Sequence, residues 1–212
     1  MLTVHHLNDS RSQRILWLLE ELEVPYDIKF YRRDPHTKMA PPELQHIHPL
    51  GKSPIVTDEG RAIAESGAII DYIIRRHGDG RLQPDPRSRE YDDYVYWLHY
   101  AEGSASLPFV IDPIARGFGK MATPLQRRVD YELDLNLKFI DDCLARNDYL
   151  LGGELTGADV QMSFVGELAV TLSNASSYPN LDGWVARFQA RPAYQAALER
   201  GGPYGFVRQP AA

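Results

Sequence analysis

Small polar side chains crowd the stretch from Leu7 to Arg14, where an N-terminal strand is expected to give way to the first helix. A turn between a strand and a helix exposes unpaired backbone N–H groups and the positive end of the helix dipole, which together favour an anion. Ser10 and Gln13 also have the spacing of a capping box, in which Ser10 simply caps the helix. The two interpretations are compatible, and the stretch is a candidate anion site.

The cysteine, serine and histidine residues do not have the spacing expected for redox chemistry, acyl transfer or metal binding. Cys143 is the only cysteine, so the chain can form no internal disulfide, CxxC redox pair or cysteine-based zinc site. It lies beside an apolar helical stripe and is predicted to be a small residue in the core or at its edge. No GxSxG elbow is present, and His46 and His48 are predicted to be a solvated loop pair, so neither an acyl-transfer triad nor a metal site is expected.

Composition and charge narrow the class of protein. Hydrophobic residues make up 43% and charged residues 25% of the 212 residues, which is typical of globular proteins, and no apolar run is long enough to span a bilayer. The net charge of −6 argues against nucleic-acid binding. Arg32-Arg33 with Lys38 form a basic cluster that we interpret as solvated loop charges. The N-terminus lacks the pattern of a signal peptide, so a cytoplasmic location is expected.

The elements that must position the opening stretch are a strand on one side and a helix on the other. Residues 2–7 and 26–31 are rich in strand formers, and the helical pattern between them has the length of a βαβ crossover, which predicts a parallel pair. Residues 48–64 have the pattern of a loop, a strand, a tight Glu-Gly turn and a second strand, which predicts a hairpin, and residues 65–67 open an apolar helix. The first 80 residues are therefore predicted to form an α/β domain.

The remainder of the chain reads as helical. Residues 81–88 contain two prolines and many turn formers, as expected of a linker, and no convincing strand follows. Residues 89–212 are predicted to form an all-helical domain, in which Pro108 and Pro113 kink or divide the first long helix. The predicted fold class is α/β plus all-α.

Four segments, taken in order, resemble the cytosolic glutathione transferase family in its serine-type, bacterial-like form. They are the serine-rich start of the first helix at residues 10–14, the Gly-Lys-Ser-Pro-Ile-Val segment at 51–56, the Glu-Ser pair at 65–66 and the Thr-Gly-Ala-Asp cap at 156–159. The resemblance covers the whole chain. It implies a thioredoxin-like N-terminal domain joined to a helical-bundle C-terminal domain, with glutathione as co-substrate.

The resemblance implies a role for each matched residue around glutathione. Ser10 stands where serine-type relatives place the residue that activates the thiol, as a hydrogen-bond donor and not as a nucleophile. Pro54 is expected to follow a cis peptide bond, which would turn the backbone groups of Ser53 towards the cysteinyl unit of glutathione. Glu65 and Ser66 are expected to hold the γ-glutamyl group at a helix N-terminus. An ordinary trans proline and an ordinary helix cap are the alternatives at these positions.

Further contacts are implied at the ends of glutathione and around the second substrate. Lys38 and Lys52 match positions where the family often contacts the polar ends of glutathione. Tyr100, Phe109 and Phe206 are predicted to wall a pocket for a hydrophobic electrophile, although an aromatic stripe at helical spacing is more often core. The family is usually dimeric, so a homodimer is expected.

Two questions about mechanism stay open at the level of sequence. Ser10 is preferred to Ser12 because it lies four residues before Arg14, as in serine-type relatives, but Asn8 or Arg11 could share the role. The function itself has alternatives, namely glutathione-dependent reduction of disulfides or peroxides, or glutathione binding without turnover. The missing active-site cysteine argues against a glutaredoxin-like reductase.

Overall fold

A four-stranded mixed sheet organises the N-terminal part of the computed structural model, which describes residues 1–172 and 177–208. The strands are β1 (Leu2–Leu7), β2 (Tyr26–Tyr31), β3 (Ile55–Asp58) and β4 (Arg61–Ala64), in the spatial order β2-β1-β3-β4. β1 and β2 are parallel, whereas β1 with β3 and β3 with β4 are antiparallel. The predicted parallel pair and the predicted hairpin are confirmed.

The helices follow the predicted order along the chain. The described α-helices are α1 (Gln13–Glu21), α2 (Ser66–His77), α3 (Arg89–Tyr100), α4 (Leu107–Gly117), α5 (Thr123–Leu144), α6 (Gly157–Leu172), α7 (Pro179–Gln189) and α8 (Pro192–Gly201). Short 3-10 turns cover Pro42–His46 and Gly119–Ala122, and a π-helical turn covers Ala101–Ala105. Residues 81–88 contain neither helix nor strand. The predicted fold class, α/β plus all-α, is confirmed.

The chain divides by its backbone contacts into two compact units. One consists of Met1–Gln83 and Phe188–Val207, and the other of Pro84–Arg187 with Arg208. The sequence pattern predicts a helical domain over all of residues 89–212, so the predicted and observed divisions differ over residues 188–207. The difference arises because α8 packs against α1. These segments are distant in the sequence, so no local pattern predicts the contact.

Aromatic side chains hold α8 and the C-terminal end of α7 against α1 within the first unit. Trp17 is fully buried, its ring stacks on Phe188 with the centroids 5.2 Å apart, and it meets Tyr194 edge-on at 5.5 Å. Arg191 Nη2 also donates to Glu21 Oε2 at 2.8 Å. Stacked and edge-on aromatic pairs add specific contacts to a large buried apolar area. The last helix therefore supports the helix that follows the candidate anion site.

A buried carboxylate organises the second unit. Asp159 accepts hydrogen bonds from the backbone N–H groups of Leu150 and Thr156, both at 2.9 Å, from the Thr156 hydroxyl at 3.0 Å and from the indole N–H of Trp184 at 3.1 Å. Burial raises the pKa of Asp159 to about 6, against the lowering effect of these bonds. The carboxylate reaches back to the Thr156 N–H as in a capping box, which confirms the cap predicted at 156–159.

Two prolines of the helical unit, Pro108 and Pro113, lie at different positions in α4. Pro108 lies in the first turn of α4, where its missing N–H leaves no helical bond unmade, and the preceding π-helical turn separates α4 from α3. The predicted division at Pro108 is confirmed, whereas Pro113 lies inside α4. The helix end that the sequence suggests near Asn174 lies outside the described residues.

Candidate functional site

Ser10 lies in the turn between β1 and α1, and its side chain is engaged within the protein. Its hydroxyl donates to the carbonyl of Leu7 at 2.8 Å and accepts the N–H of Ser12 at 3.2 Å. The same oxygen lies 2.8 Å from the hydroxyl oxygen of Ser12 and 3.3 Å from that of Ser53. Because a hydroxyl carries one proton, donation to a ligand would replace the bond to Leu7.

The cap of α1 differs from the capping box that the sequence suggested. The helix begins after Ser12, and the N–H of Gln13 bonds to the carbonyl oxygen of Ser10 and not to its hydroxyl. The Ser12 hydroxyl lies 2.9 Å from Nδ1 of His6 and accepts the N–H of Leu7 at 3.2 Å. Burial lowers the pKa of His6 to about 4, so its imidazole is neutral at pH 7. Ser12 is fully buried and presents no surface to a ligand.

Two other candidates for the thiol contact lie in the same turn. The side-chain oxygen of Asn8 accepts the backbone N–H of Arg33 at 2.9 Å, and its amide nitrogen donates to Asp9 Oδ2 at 3.1 Å. Both polar atoms of the Asn8 side chain are therefore hydrogen-bonded within the protein. Arg11 is half-buried. Ser10 therefore stays the first candidate, with Arg11 and Asn8 as neighbours.

The segment before β3 has the backbone form that the resemblance implied. The peptide bond between Ser53 and Pro54 is cis. Gly51 is buried with φ +57, and a Cβ at this position would lie only 2.7 Å from Cγ of Gln45, so the turn requires glycine. Lys52 is exposed. The segment thus presents the lysine side chain to solvent and Ser53 to the turn between β1 and α1.

A buried arginine meets the predicted glutathione residues at the start of α2. Ser66 is 3% exposed, and its hydroxyl oxygen accepts a hydrogen bond of 2.6 Å from Nη2 of Arg14, which is itself 2% exposed. Glu65 is exposed beside it, with φ +69. The motifs in the sequence predicted no contact for Arg14. Its position at the start of an apolar helix was the available signal, since a buried arginine needs acceptors.

Lys38 lies in an exposed loop after β2 that nevertheless has a defined shape. Its φ is +59, its N–H donates to the carbonyl of Asp34 at 2.9 Å, and its own carbonyl accepts Nη1 of Arg33 at 3.1 Å. Hydrogen bonds from the N–H groups of Thr37 and His36 lower the pKa of the Asp34 carboxyl. The Lys38 side chain is exposed on this turn.

A cavity of about 700 Å³ borders the turn between β1 and α1, within the first unit. Its lining residues come from the β1 and β2 ends and from the segment after α8, and they are His6, Asn8, Asp9, Phe30–Arg33 and Gly201–Gly205. Ser10 and Ser53 are not among them. The cavity and the predicted glutathione residues therefore share the turn but form different surfaces.

Known protein families match both parts of the chain. The model described as glutathione S-transferase, N-terminal domain, matches residues 10–76, and the one described as glutathione S-transferase, C-terminal domain, matches residues 105–192. Glutathione S-transferase 3 of Schizosaccharomyces pombe is 35% identical over 215 residues, which cover 94% of this chain and 88% of the yeast protein. The chain belongs to the glutathione S-transferase family.

Further comparisons agree with this membership. Glutathione S-transferase 1 of Saccharomyces cerevisiae is 31% identical over 228 residues, which cover 97% of each chain. The crystal structure of a glutathione S-transferase from Actinobacillus pleuropneumoniae matches with a TM-score of 0.87 and 31% identity, covering 99% of this chain and 97% of that one. The resemblance stated from the sequence is confirmed. Membership of the glutathione S-transferase family supports a glutathione transferase enzyme with glutathione as its co-substrate.

The aromatic residues predicted to contact the electrophile have different surroundings in this transferase family member. Tyr100 donates to the side-chain oxygen of Asn136 at 2.6 Å and lines a cavity of about 530 Å³ within the helical unit. Phe109 is 7% exposed and is not among the residues that line this cavity. Phe206 belongs to the first unit, where its ring meets Tyr204 edge-on at 5.5 Å. A shared role for the three stays a prediction.

Three remaining features of the transferase bear on metal, redox and membrane chemistry. Cys143 is half-buried, and burial raises the pKa of its thiol, which makes it less reactive than a free cysteine. Within residues 1–172 and 177–208, no three His, Cys, Asp or Glu side chains are grouped as metal ligands. In the same part of the chain, no helix combines the length and apolar character needed to cross a bilayer.

Proposed function

We propose that the protein activates the thiol of glutathione through the hydroxyl of Ser10 and transfers the glutathionyl group to hydrophobic electrophiles. The observation that carries this proposal is the 3.3 Å distance between the hydroxyl oxygens of Ser10 and Ser53. Backbone N–H and C=O groups can pair with an extended peptide, and we assign the cysteinyl unit of glutathione to Ser53 and Pro54, which directly precede β3. Ser10 then lies next to the unit that carries the thiol.

In this mechanism, Ser10 has to lower the pKa of the glutathione thiol by donating a hydrogen bond to the sulfur. A free thiol has a pKa of about 8.5, and the thiolate is the nucleophile, so each unit by which the pKa falls corresponds to about 1.4 kcal/mol. The Ser10 hydroxyl would rotate from the Leu7 carbonyl to the sulfur, and the positive end of the α1 dipole favours the same charge. The thiolate then forms a carbon–sulfur bond as the leaving group departs with its electron pair.

The other predicted contacts fit the two ends of glutathione. We assign the γ-glutamyl group to Glu65 and Ser66, because Ser66 opens α2 and Glu65 is exposed beside it. Lys38 and Lys52 are exposed cations on the loops before β3, and we assign the carboxylate ends to them. Arg14 fixes the Ser66 hydroxyl from inside the fold.

For the electrophile, Tyr100 is the best supported of the three predicted aromatic contacts. It lines a cavity of about 530 Å³ whose walls include Leu107, Pro108 and Ile111. Apolar cavities with a few polar groups are typical of small-molecule sites. The roles of Phe109 and Phe206 rest on the sequence resemblance alone.

The partner and the location complete the proposal. One face of α4 and its C-terminal cap carries Leu107, Val110, Ile114 and Phe118, which are between 50% and 60% exposed and have helical spacing. An apolar face of this kind marks an interaction surface, and we assign it to a second copy in a cytoplasmic homodimer. Sedimentation of the wild type and of Ile114→Glu tests the dimer, which the charged variant should dissociate.

Ultraviolet titration of the thiolate of bound glutathione tests the activation by Ser10. The wild type should show a thiol pKa below 8.5, and Ser10→Ala should move it back towards that value. Ser163→Ala is the matched control, since Ser163 is a buried serine in α6 whose hydroxyl also donates to a backbone carbonyl. A bound thiol with an unchanged pKa in the wild type would reject the mechanism.

A comparison of two assays separates transfer from its alternatives. The same preparation is given a chlorinated aromatic electrophile in one assay and a glutathione mixed disulfide in the other. Transfer predicts a faster reaction with the electrophile, and a strong loss in Ser10→Ala. Retention on immobilised glutathione without either activity would point to a binding module.

A further inference from the structure

Arg33 follows β2 closely and makes four hydrogen bonds to two separate segments. Its Nε donates to the carbonyl of Asn8 at 3.1 Å and its Nη2 to the carbonyl of Asp9 at 3.2 Å. Its Nη1 donates to the carbonyl of Lys38 at 3.1 Å, and its backbone N–H donates to the Asn8 side-chain oxygen at 2.9 Å. One guanidinium therefore joins the turn that leads into Ser10 to the loop that carries Lys38.

We propose that Arg33 is a positioning residue for glutathione transfer, which holds the Ser10 turn and the Lys38 loop in one fixed arrangement. The inference rests on the proposed function, in which Ser10 faces the thiol and Lys38 contacts a carboxylate end of glutathione. Arg33 acts through these two segments and does not touch glutathione itself. A single side chain thus sets the geometry of contacts to two different parts of the substrate.

The chemistry of the side chain explains why an arginine stands here. A guanidinium presents donors on three nitrogens in a rigid plane, and Arg33 uses each nitrogen for a different carbonyl. A lysine carries its donors on one nitrogen and cannot reproduce this planar arrangement. From the sequence, Arg33 and Arg32 are both predicted to be solvated loop charges. Arg32 is exposed, whereas Arg33 is half-buried and bonded on both sides.

The backbone at both ends of this link adopts a conformation that needs support. Asp9 has φ +47 and Lys38 has φ +59, values in the left-handed region that residues with a side chain rarely adopt. The carbonyls of both residues accept from Arg33. Asp9 is also held from the segment after α8, because its Oδ1 accepts the N–H of Gly205 at 2.8 Å. Without the guanidinium, the turn would keep this second anchor, while the Lys38 loop would lose its link to the turn.

The test compares Arg33→Ala and Arg33→Lys with the matched control Arg32→Ala. In Arg33→Ala we expect KM for glutathione to rise about tenfold, more than kcat falls, and the pKa of the bound thiol to rise, as expected for lost bonds to a charged donor. Arg33→Lys should resemble Arg33→Ala, and Arg32→Ala should stay within about twofold of the wild type. Backbone amide exchange without glutathione should quicken at residues 8–10 and 36–39 in both Arg33 variants.

The outcomes separate this inference from the proposed function. A folded Arg33→Ala with wild-type KM and wild-type thiol pKa overturns the inference while the function of Ser10 stands. If Arg33→Ala does not fold, Arg33→Lys decides, and wild-type values in that variant overturn the inference too. A wild type that leaves the thiol pKa unchanged rejects the proposed function, and the inference falls with it.

Discussion

Arg14 donates a hydrogen bond of 2.6 Å to the hydroxyl of Ser66, so that a buried cation of α1 meets the first residue of α2. The two side chains are 2% and 3% exposed. A charged donor in such surroundings depends on its acceptors, because water cannot replace them. The contact fixes the N-terminus of α2, where we place the γ-glutamyl group of glutathione.

Replacing Ser66 by alanine should lower the free energy of unfolding by about 1–3 kcal/mol, because Arg14 loses an acceptor. Urea denaturation measures the loss, and binding of glutathione should weaken in parallel. Ser163→Ala is the control: its hydroxyl donates to the Val160 carbonyl inside α6, so no buried charge loses a partner. Equal losses in the two variants would contradict the importance of the charged donor.

Replacing Asp159 by asparagine should destabilise the second unit by about 3 kcal/mol or more, since the carboxylate accepts four donors that an amide cannot satisfy. Denaturation followed by tryptophan fluorescence reports the loss, because Trp184 is one of the donors. Asp142→Asn removes an exposed carboxylate paired with Lys138 and should change stability by less than about 0.5 kcal/mol. Similar effects of both variants would show that Asp159 has no central role.

The neutral His6 makes stability depend on pH. Its folded pKa of about 4 lies below the ordinary 6.5, so the unfolded chain binds more protons between these values. The contribution of His6 to stability should therefore fall as the pH drops from about 6.5 to about 4, by up to about 3 kcal/mol. Asp159, whose pKa is raised to about 6, contributes with the opposite sign in this range, so the two variants isolate the histidine. Denaturation at several pH values should show that the wild type loses stability relative to His6→Asn as the pH drops, whereas His99→Asn, which changes an exposed histidine, should keep the wild-type pH dependence.

Two glycines of the helical unit should respond in opposite directions to alanine. A Cβ at Gly166 would lie 2.5 Å from Cζ3 of Trp184 and 3.0 Å from Cγ2 of Val185, so the variant should lose about 1–3 kcal/mol. A Cβ at Gly183 in α7 meets no atom within 4 Å, and alanine there should add up to about 1 kcal/mol of helix stability. Melting temperatures that shift in the same direction would contradict this description of the packing.

Local patterns predicted the elements of the fold well. The alternating residues of β1 and β2, the Glu-Gly turn between β3 and β4 and the apolar spacing of α1 and α2 depend on hydrogen bonds and burial within short stretches. The placement of residues 188–207 with the first unit followed no such pattern, since it depends on the contact of Trp17 with Phe188. Element type is a local property, whereas the partner of a helix is not.

The candidate site divides in the same way. The motifs in the sequence predicted Ser10, Ser53 and the Glu65-Ser66 pair. The enclosure of Ser12 by His6 and Leu7 and the hydrogen bonds of Arg33 follow only from the tertiary structure. The sequence of a basic pair such as Arg32-Arg33 does not show whether its side chains are solvated or hydrogen-bonded within the protein. The two arginines differ in burial, and burial depends on segments that are distant in the sequence.

The amino-acid sequence by itself determined the order of strands and helices, the α/β plus all-α class and the family to which the motifs belong. Only the tertiary structure decided which polar groups meet: Ser10 with Ser53 across 43 positions, and Arg14 with Ser66 across 52. The physical reason is the short range of a hydrogen bond, which forms only where packing brings two groups to about 3 Å. The motifs identify the polar side chains, and the packing of the sheet and helices brings these side chains within hydrogen-bond distance.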